Sequence, residues 1–116
     1  MISTRVLLLS LLTAVCAAGC GSDVDDRPLT WDYIYGAIVV PNCTTSGCHS
    51  ALTKTQNLNF SDKEFAKAIF SDPTSTNLNE RLMGTAGTQV YRMPPDQPLP
   101  NKDIDLIIRW QNAGAP

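Results

Sequence analysis

Asn42-Cys43-Thr44-Thr45-Ser46-Gly47-Cys48-His49-Ser50 separates two thiols by four residues and sets an imidazole directly after the second. His49 is the only histidine in the 116-residue chain, and the two thiols are half of its four cysteines. The intervening Thr44, Thr45, Ser46 and Gly47 are small. They let the backbone bulge outward while both sulfurs stay on one side, at little steric cost.

The other two cysteines have a different setting. Met1-Ile2-Ser3-Thr4-Arg5 places one positive charge before the apolar run that begins at Val6, and Cys16 lies just after that run. Ala17-Ala18-Gly19 then lead to Cys20. A charged start, a short apolar stretch and small residues are the layout of an export signal. The apolar run is shorter than the roughly 20 residues a spanning helix needs. Its end resembles a bacterial lipoprotein signal, in which a small residue precedes a cysteine that becomes the lipidated N-terminus. On that resemblance residues 1–19 are a signal peptide, Cys20 carries lipid, and the chain faces the periplasm from a membrane, the outer more than the inner. Ala17 stands where that family usually has leucine. Plain secretion, with cleavage near Ala17 or Ala18, is the alternative. Either way Cys43 and Cys48 have no protein partner but each other, or a cofactor that takes both.

Composition bounds the remainder. Hydrophobic residues make up 43% and charged residues 17%, which fits one globular domain. The formal net charge of −2 offers no basic footprint for nucleic acid. A slightly acidic surface favours a basic partner. Residues 20–29 are polar and acidic and include Pro28, as a flexible tether would be. The domain is then 30–116, a monomer.

The domain reads as all-α. Thr30 suits the N-cap of a helix ending near Val40, stopped by Pro41, with Trp31, Ile34, Tyr35 and Ile38 on one apolar face. Residues 56–60 read as an extended turn with Leu58 and Phe60 on the same side. Ser61 and Glu64 form a capping-box pattern, which predicts a helix to about Phe70 with Phe65, Ala68 and Ile69 inward. A short helical turn is expected over 78–83. Asn101 is the expected cap of a final helix that carries Ile104, Ile107 and Ile108 in one row and Leu106, Trp110 and Ala113 in a neighbouring one, with Gly114 as its stop. Nothing in the pattern suggests a strand.

Two thiols and an adjacent imidazole are what covalent attachment of c-type haem requires. Each sulfur adds to a vinyl group, and the imidazole reaches iron from one face. A six-coordinate electron carrier needs a second axial ligand. Once a signal peptide is removed, the thioethers left are Met83 and Met93. Met93 is favoured because Pro94 and Pro95 keep it in a rigid loop. Arg92 beside it suits a haem propionate. Other readings of the pair are a Cys43–Cys48 disulfide in a helical binding module without haem, and a zinc or copper site. The wide spacing makes a thiol oxidoreductase the weakest.

Taken together, the segments resemble small class I cytochromes c, and more narrowly the cytochrome c-like lipoproteins of bacteria such as myxobacteria. Ser46-Gly47-Cys48-His49, Arg92-Met93-Pro94 and Trp110-Gln111-Asn112-Ala113-Gly114-Ala115 carry the resemblance, which covers residue 30 to the C-terminus. It implies a small fold of three to four helices with long loops around one haem, held covalently by Cys43 and Cys48. It also implies His49 as proximal ligand and Met93 as distal ligand, with one-electron exchange with a redox protein rather than enzymatic catalysis. The departure from the family is the spacing, since the common motif has two residues between the cysteines. A domain this small buries a marginal core. A haem staple packed by Trp31, Ile34, Phe65, Ile107 and Trp110 would compensate, and the haem-free chain is expected to be unfolded or molten.

Overall fold

A computed structural model describes residues 24–45, 47–74, 76–85 and 92–116. Cys20 and the signal segment lie outside them. Among the described residues the chain is helical, with no strand. None of its helices is long and apolar enough to cross a membrane.

The Thr30 hydroxyl accepts from the Tyr33 amide at 3.3 Å and opens α1 (Trp31–Ile34). The helix does not stop at Pro41. It passes through a π-helical stretch (Tyr35–Val39), in which the Val40 amide reaches back to the Tyr35 carbonyl, and continues as α2 (Val40–Cys43). Proline has no N–H, and its ring collides with the carbonyl four residues earlier in a regular helix. The wider π turn upstream relieves that collision. Side chains then cover carbonyls at the helix end: Asn42 Nδ2 donates to Ile38 O at 2.7 Å and Thr44 Oγ1 to Val40 O at 2.6 Å.

A 3₁₀ turn (Thr55–Asn57) follows the motif, with Leu58 extended after it. The next helix, α3 (Lys63–Ser71), is capped by Asp62, whose carboxylate accepts from the amides of Glu64 and Phe65 at 3.1 and 3.0 Å. Ser61, the expected cap, accepts instead from the Ala51 amide at 3.3 Å. A carboxylate also suits the positive helix end better than a hydroxyl does. The buried positions of α3 are consequently Ala66 and Phe70 rather than Phe65 and Ala68, while Ile69 packs at the margin of the core. The short α4 (Leu78–Met83) closes on Gly84, left-handed at φ +71°. The last helix, α5 (Asn101–Asn112), begins after Pro100, so Asn101 is its first residue and makes no cap. Proline's fixed φ leads the chain in. At the far end Gly114 (φ +93°) and Ala115 turn back, their amides bonding the Gln111 and Trp110 carbonyls at 3.0 Å each.

α5 is the hub, packing against α1, α3 and α4. Ile104, Leu106, Ile107 and Trp110 are buried on it, while Ala113, expected in the apolar row, is exposed. Trp110 stacks on Trp31 with ring centroids 5.2 Å apart. A polar node joins three helices: the side chains of Asn79 and Gln111 exchange two hydrogen bonds, and Gln111 Nε2 also donates to Phe70 O at 2.8 Å. Gln111→Ala strands these partners. It is expected to cost about 1–3 kcal/mol, which thermal denaturation reads as a drop of several degrees in Tm for a domain of this size.

The second half of the expected tether is docked rather than free. Arg27 pairs with Asp25 and Asp103 and donates to Lys102 O, and Arg109 pairs with Asp25. The Arg27 guanidinium holds the Asp25 carboxyl well below the usual carboxylate range. Leu29 packs on the core. The chain is therefore anchored on α5 from Asp25 onward.

A candidate cofactor cleft

The motif leaves α2 and returns on itself. The His49 amide bonds Cys43 O, and the Cys48 amide bonds Thr45 O, both at 3.0 Å. Gly47 takes φ +86°, where a side chain would be strained. The chain thus turns back within the motif, and Cys43, Cys48 and His49 all line one cleft. Both cysteines are free thiols. Burial pushes the Cys43 thiol up to about 12, so it stays protonated at neutral pH. Thr45 Oγ1 donates to Cys48 Sγ at 3.4 Å.

His49 is held in one tautomer. Its Nδ1 lies 2.9 Å from Thr55 O. A carbonyl only accepts, so Nδ1 carries the hydrogen and Nε2 keeps its lone pair. The ring rests on Phe60, centroids 4.8 Å apart, and the Phe60 amide bonds His49 O at 2.7 Å.

Part of the lining comes from far along the chain. Met93, Pro94 and Pro95 line the same cleft as the motif, together with Phe60, Phe70, Leu78 and Leu82. The Met93 amide bonds Arg81 O at 3.0 Å and so ties this loop to α4. The cleft has a cavity volume of about 130 Å³, below the roughly 300–1,000 Å³ of typical cofactor and ligand sites. A second cleft adjoins it, sharing His49, Phe60, Leu78 and Met93, and is edged by Gln56, Thr76 and Arg81. Met83, the other thioether considered, is 41% exposed at the end of α4 and lines neither cleft.

The residues present suit a largely apolar group that carries a carboxylate. The walls are aromatic and aliphatic. Beside Met93, Arg92 has a buried Nε with no hydrogen-bond partner among the described residues, although Arg92 itself lines neither cleft. A buried donor left unpaired is costly, and a ligand carboxylate would satisfy it. The stem of Arg92 runs close over Gly84, where a Cβ would meet its Cδ at 3.0 Å. Among the described residues no three His, Cys, Asp or Glu side chains gather as a bare-ion site would require.

One sequence expectation is corrected here. Trp31, Ile34, Ile107 and Trp110 do not line the cleft; they are buried together in the core. Phe65 is 37% exposed. The large surfaces of the two tryptophans are taken up by each other and by the helix contacts. Cleft walls fall instead to Phe60, Phe70, Leu78 and Leu82, which sit on the segments that follow the motif. Thr55 and Arg81, which hold His49 and Met93 through their carbonyls, carry no sequence signal for that work, because backbone carbonyls are common to every residue. Compared with known proteins, the chain matches no family model, no curated protein and no solved structure.

Proposed function

We propose that the chain is a c-type cytochrome: a small cytochrome c-like domain that carries one covalent haem and passes single electrons, without being an enzyme. The supporting observation is that Cys43, Cys48 and His49 share one apolar cleft with Met93, a residue more than forty positions away. When bound there, haem supplies the one-electron Fe(III)/Fe(II) couple. Cys43 and Cys48 would hold it through two thioether bonds, each S–H adding whole across one vinyl group so that no oxidant is consumed. His49 would serve as proximal ligand through Nε2, because Thr55 O holds Nδ1–H. Met93, which lines the same cleft, would supply the distal thioether. Arg92 offers its unpaired Nε to a propionate. Phe60, Phe70, Leu78 and Leu82 exclude water, which lowers the local dielectric around the iron and tunes its potential. Lipid on Cys20 would keep the domain at a membrane surface on the periplasmic side, where a redox protein is its partner.

The test is the metal content of protein exported from cells that have haem-attachment machinery. One iron per chain is expected. Zinc or copper without iron would contradict the reading.

A further inference from the structure

The turn that holds His49 is strained, and one hydroxyl latches it. Lys54, Gln56 and Asn57 all take left-handed backbone conformations, at φ 46°, 58° and 61°. Such conformations are uncommon for lysine and glutamine and persist where the surroundings over-determine them. Thr55 sits in the middle. Its carbonyl accepts from His49 Nδ1 at 2.9 Å and from the Leu58 amide at 3.2 Å. Its hydroxyl donates back to Cys48 O at 3.0 Å and lies 3.4 Å from Gly47 O. Its own amide also reaches Cys48 O, at 3.3 Å. The side chain of Thr55 therefore grips the end of the long motif loop, while its carbonyl grips the imidazole.

We propose that Thr55 is a positioning residue for the iron ligand: its hydroxyl, latched on the Cys48 carbonyl, holds a strained turn so that Nε2 of His49 faces the cleft. The inference rests on the haem reading above. It adds a role for a side chain that touches neither the thioethers nor the iron. It also gives the four-residue spacing a specific support, since the latch closes on Gly47 and Cys48, the last residues of the bulge. The hydrogen bond on Nδ1–H makes the imidazole a stronger donor to iron, which favours the ferric state. Loosening the latch weakens that bond, so the potential rises.

The experiment compares the wild-type holoprotein with Thr55→Val and Thr55→Ser. Valine keeps the shape and removes the hydroxyl, whereas serine keeps the hydroxyl. The readouts are the exchange rate of the His49 Nδ1–H in the reduced protein by NMR and the midpoint potential. Exchange about fivefold faster is expected in Thr55→Val, in line with the net worth of one hydrogen bond. The potential of this variant should be more positive, and Thr55→Ser should behave as wild type. If Thr55→Val yields no holoprotein while Thr55→Ser yields it normally, the hydroxyl is again what matters. Unchanged exchange and potential in Thr55→Val would overturn the role of Thr55 and leave the haem reading standing. Equal damage in both variants would overturn it too, because packing rather than the hydroxyl would then be responsible. A wild-type chain that carries no haem would overturn both.

Discussion

His49→Ala is expected to abolish the low-spin haem spectrum of the exported protein and to lower the yield of iron-loaded chain by at least about tenfold, the lower end of what loss of a supporting contact to a metal ligand already costs. No other residue can take its place, since the chain has no second histidine. The effect is specific to the lone pair at Nε2. Nδ1–H bonds Thr55 O, and no hydrogen bond is made by Nε2 among the described residues. Phe60, 4.8 Å away between ring centroids, supports one face of the ring but offers no ligand. Absorption spectra and iron analysis of the purified variant make the measurement. A spectrum and iron content like those of wild type would mean that His49 is not the proximal ligand.

Met93→Ala is expected to lower the midpoint potential and open the sixth coordination position. A thioether stabilises ferrous over ferric iron, and axial ligands as a class move haem potentials over roughly 0.8 V. A negative shift on the order of 0.1 V is therefore the minimum to look for. Added imidazole or cyanide should then bind to the ferric variant far more readily than to wild type. Met83→Ala is the control, because Met83 lies at the exposed end of α4 and lines neither cleft. Redox titration and ligand titration check both variants. If Met93→Ala is silent in both while Met83→Ala shifts them, the ligand assignment reverses.

The helices were legible because their signals are local. Thr30 caps α1 as expected, and the apolar rows that run from α1 into the π-helical stretch and along α5 put Trp31, Ile34, Ile38, Ile104 and Ile107 inside. Boundaries failed where two signals compete within one or two residues. Asp62 displaced Ser61 as a cap because the serine hydroxyl has the Ala51 amide to satisfy, a contact ten residues away in sequence. Pro41 failed to stop its helix because a π turn absorbed it, and widening of that kind depends on backbone bonds no residue pattern encodes.

The motif and Met93 could be picked out because thiols, a lone imidazole and a thioether before prolines are chemically distinctive. That chemistry predicts that they share one site; the bond that ties the Met93 segment to α4, from the Met93 amide to the Arg81 carbonyl, has no residue signal. The latch at Thr55 was beyond reach for a related reason. Of the three left-handed residues around it, asparagine alone is a type that favours that conformation, so Lys54 and Gln56 concealed the turn.

The covalent state of Cys43 and Cys48 tests the haem reading most directly. Protein exported in cells with haem-attachment machinery is purified, denatured and extracted with acidified solvent, and a pyridine haemochrome spectrum is then recorded on the chain. Haem that stays with the polypeptide, with the spectrum of two saturated vinyl groups, is the predicted result. A haem-free chain with a Cys43–Cys48 disulfide, despite active machinery, would contradict it and leave a helical binding domain.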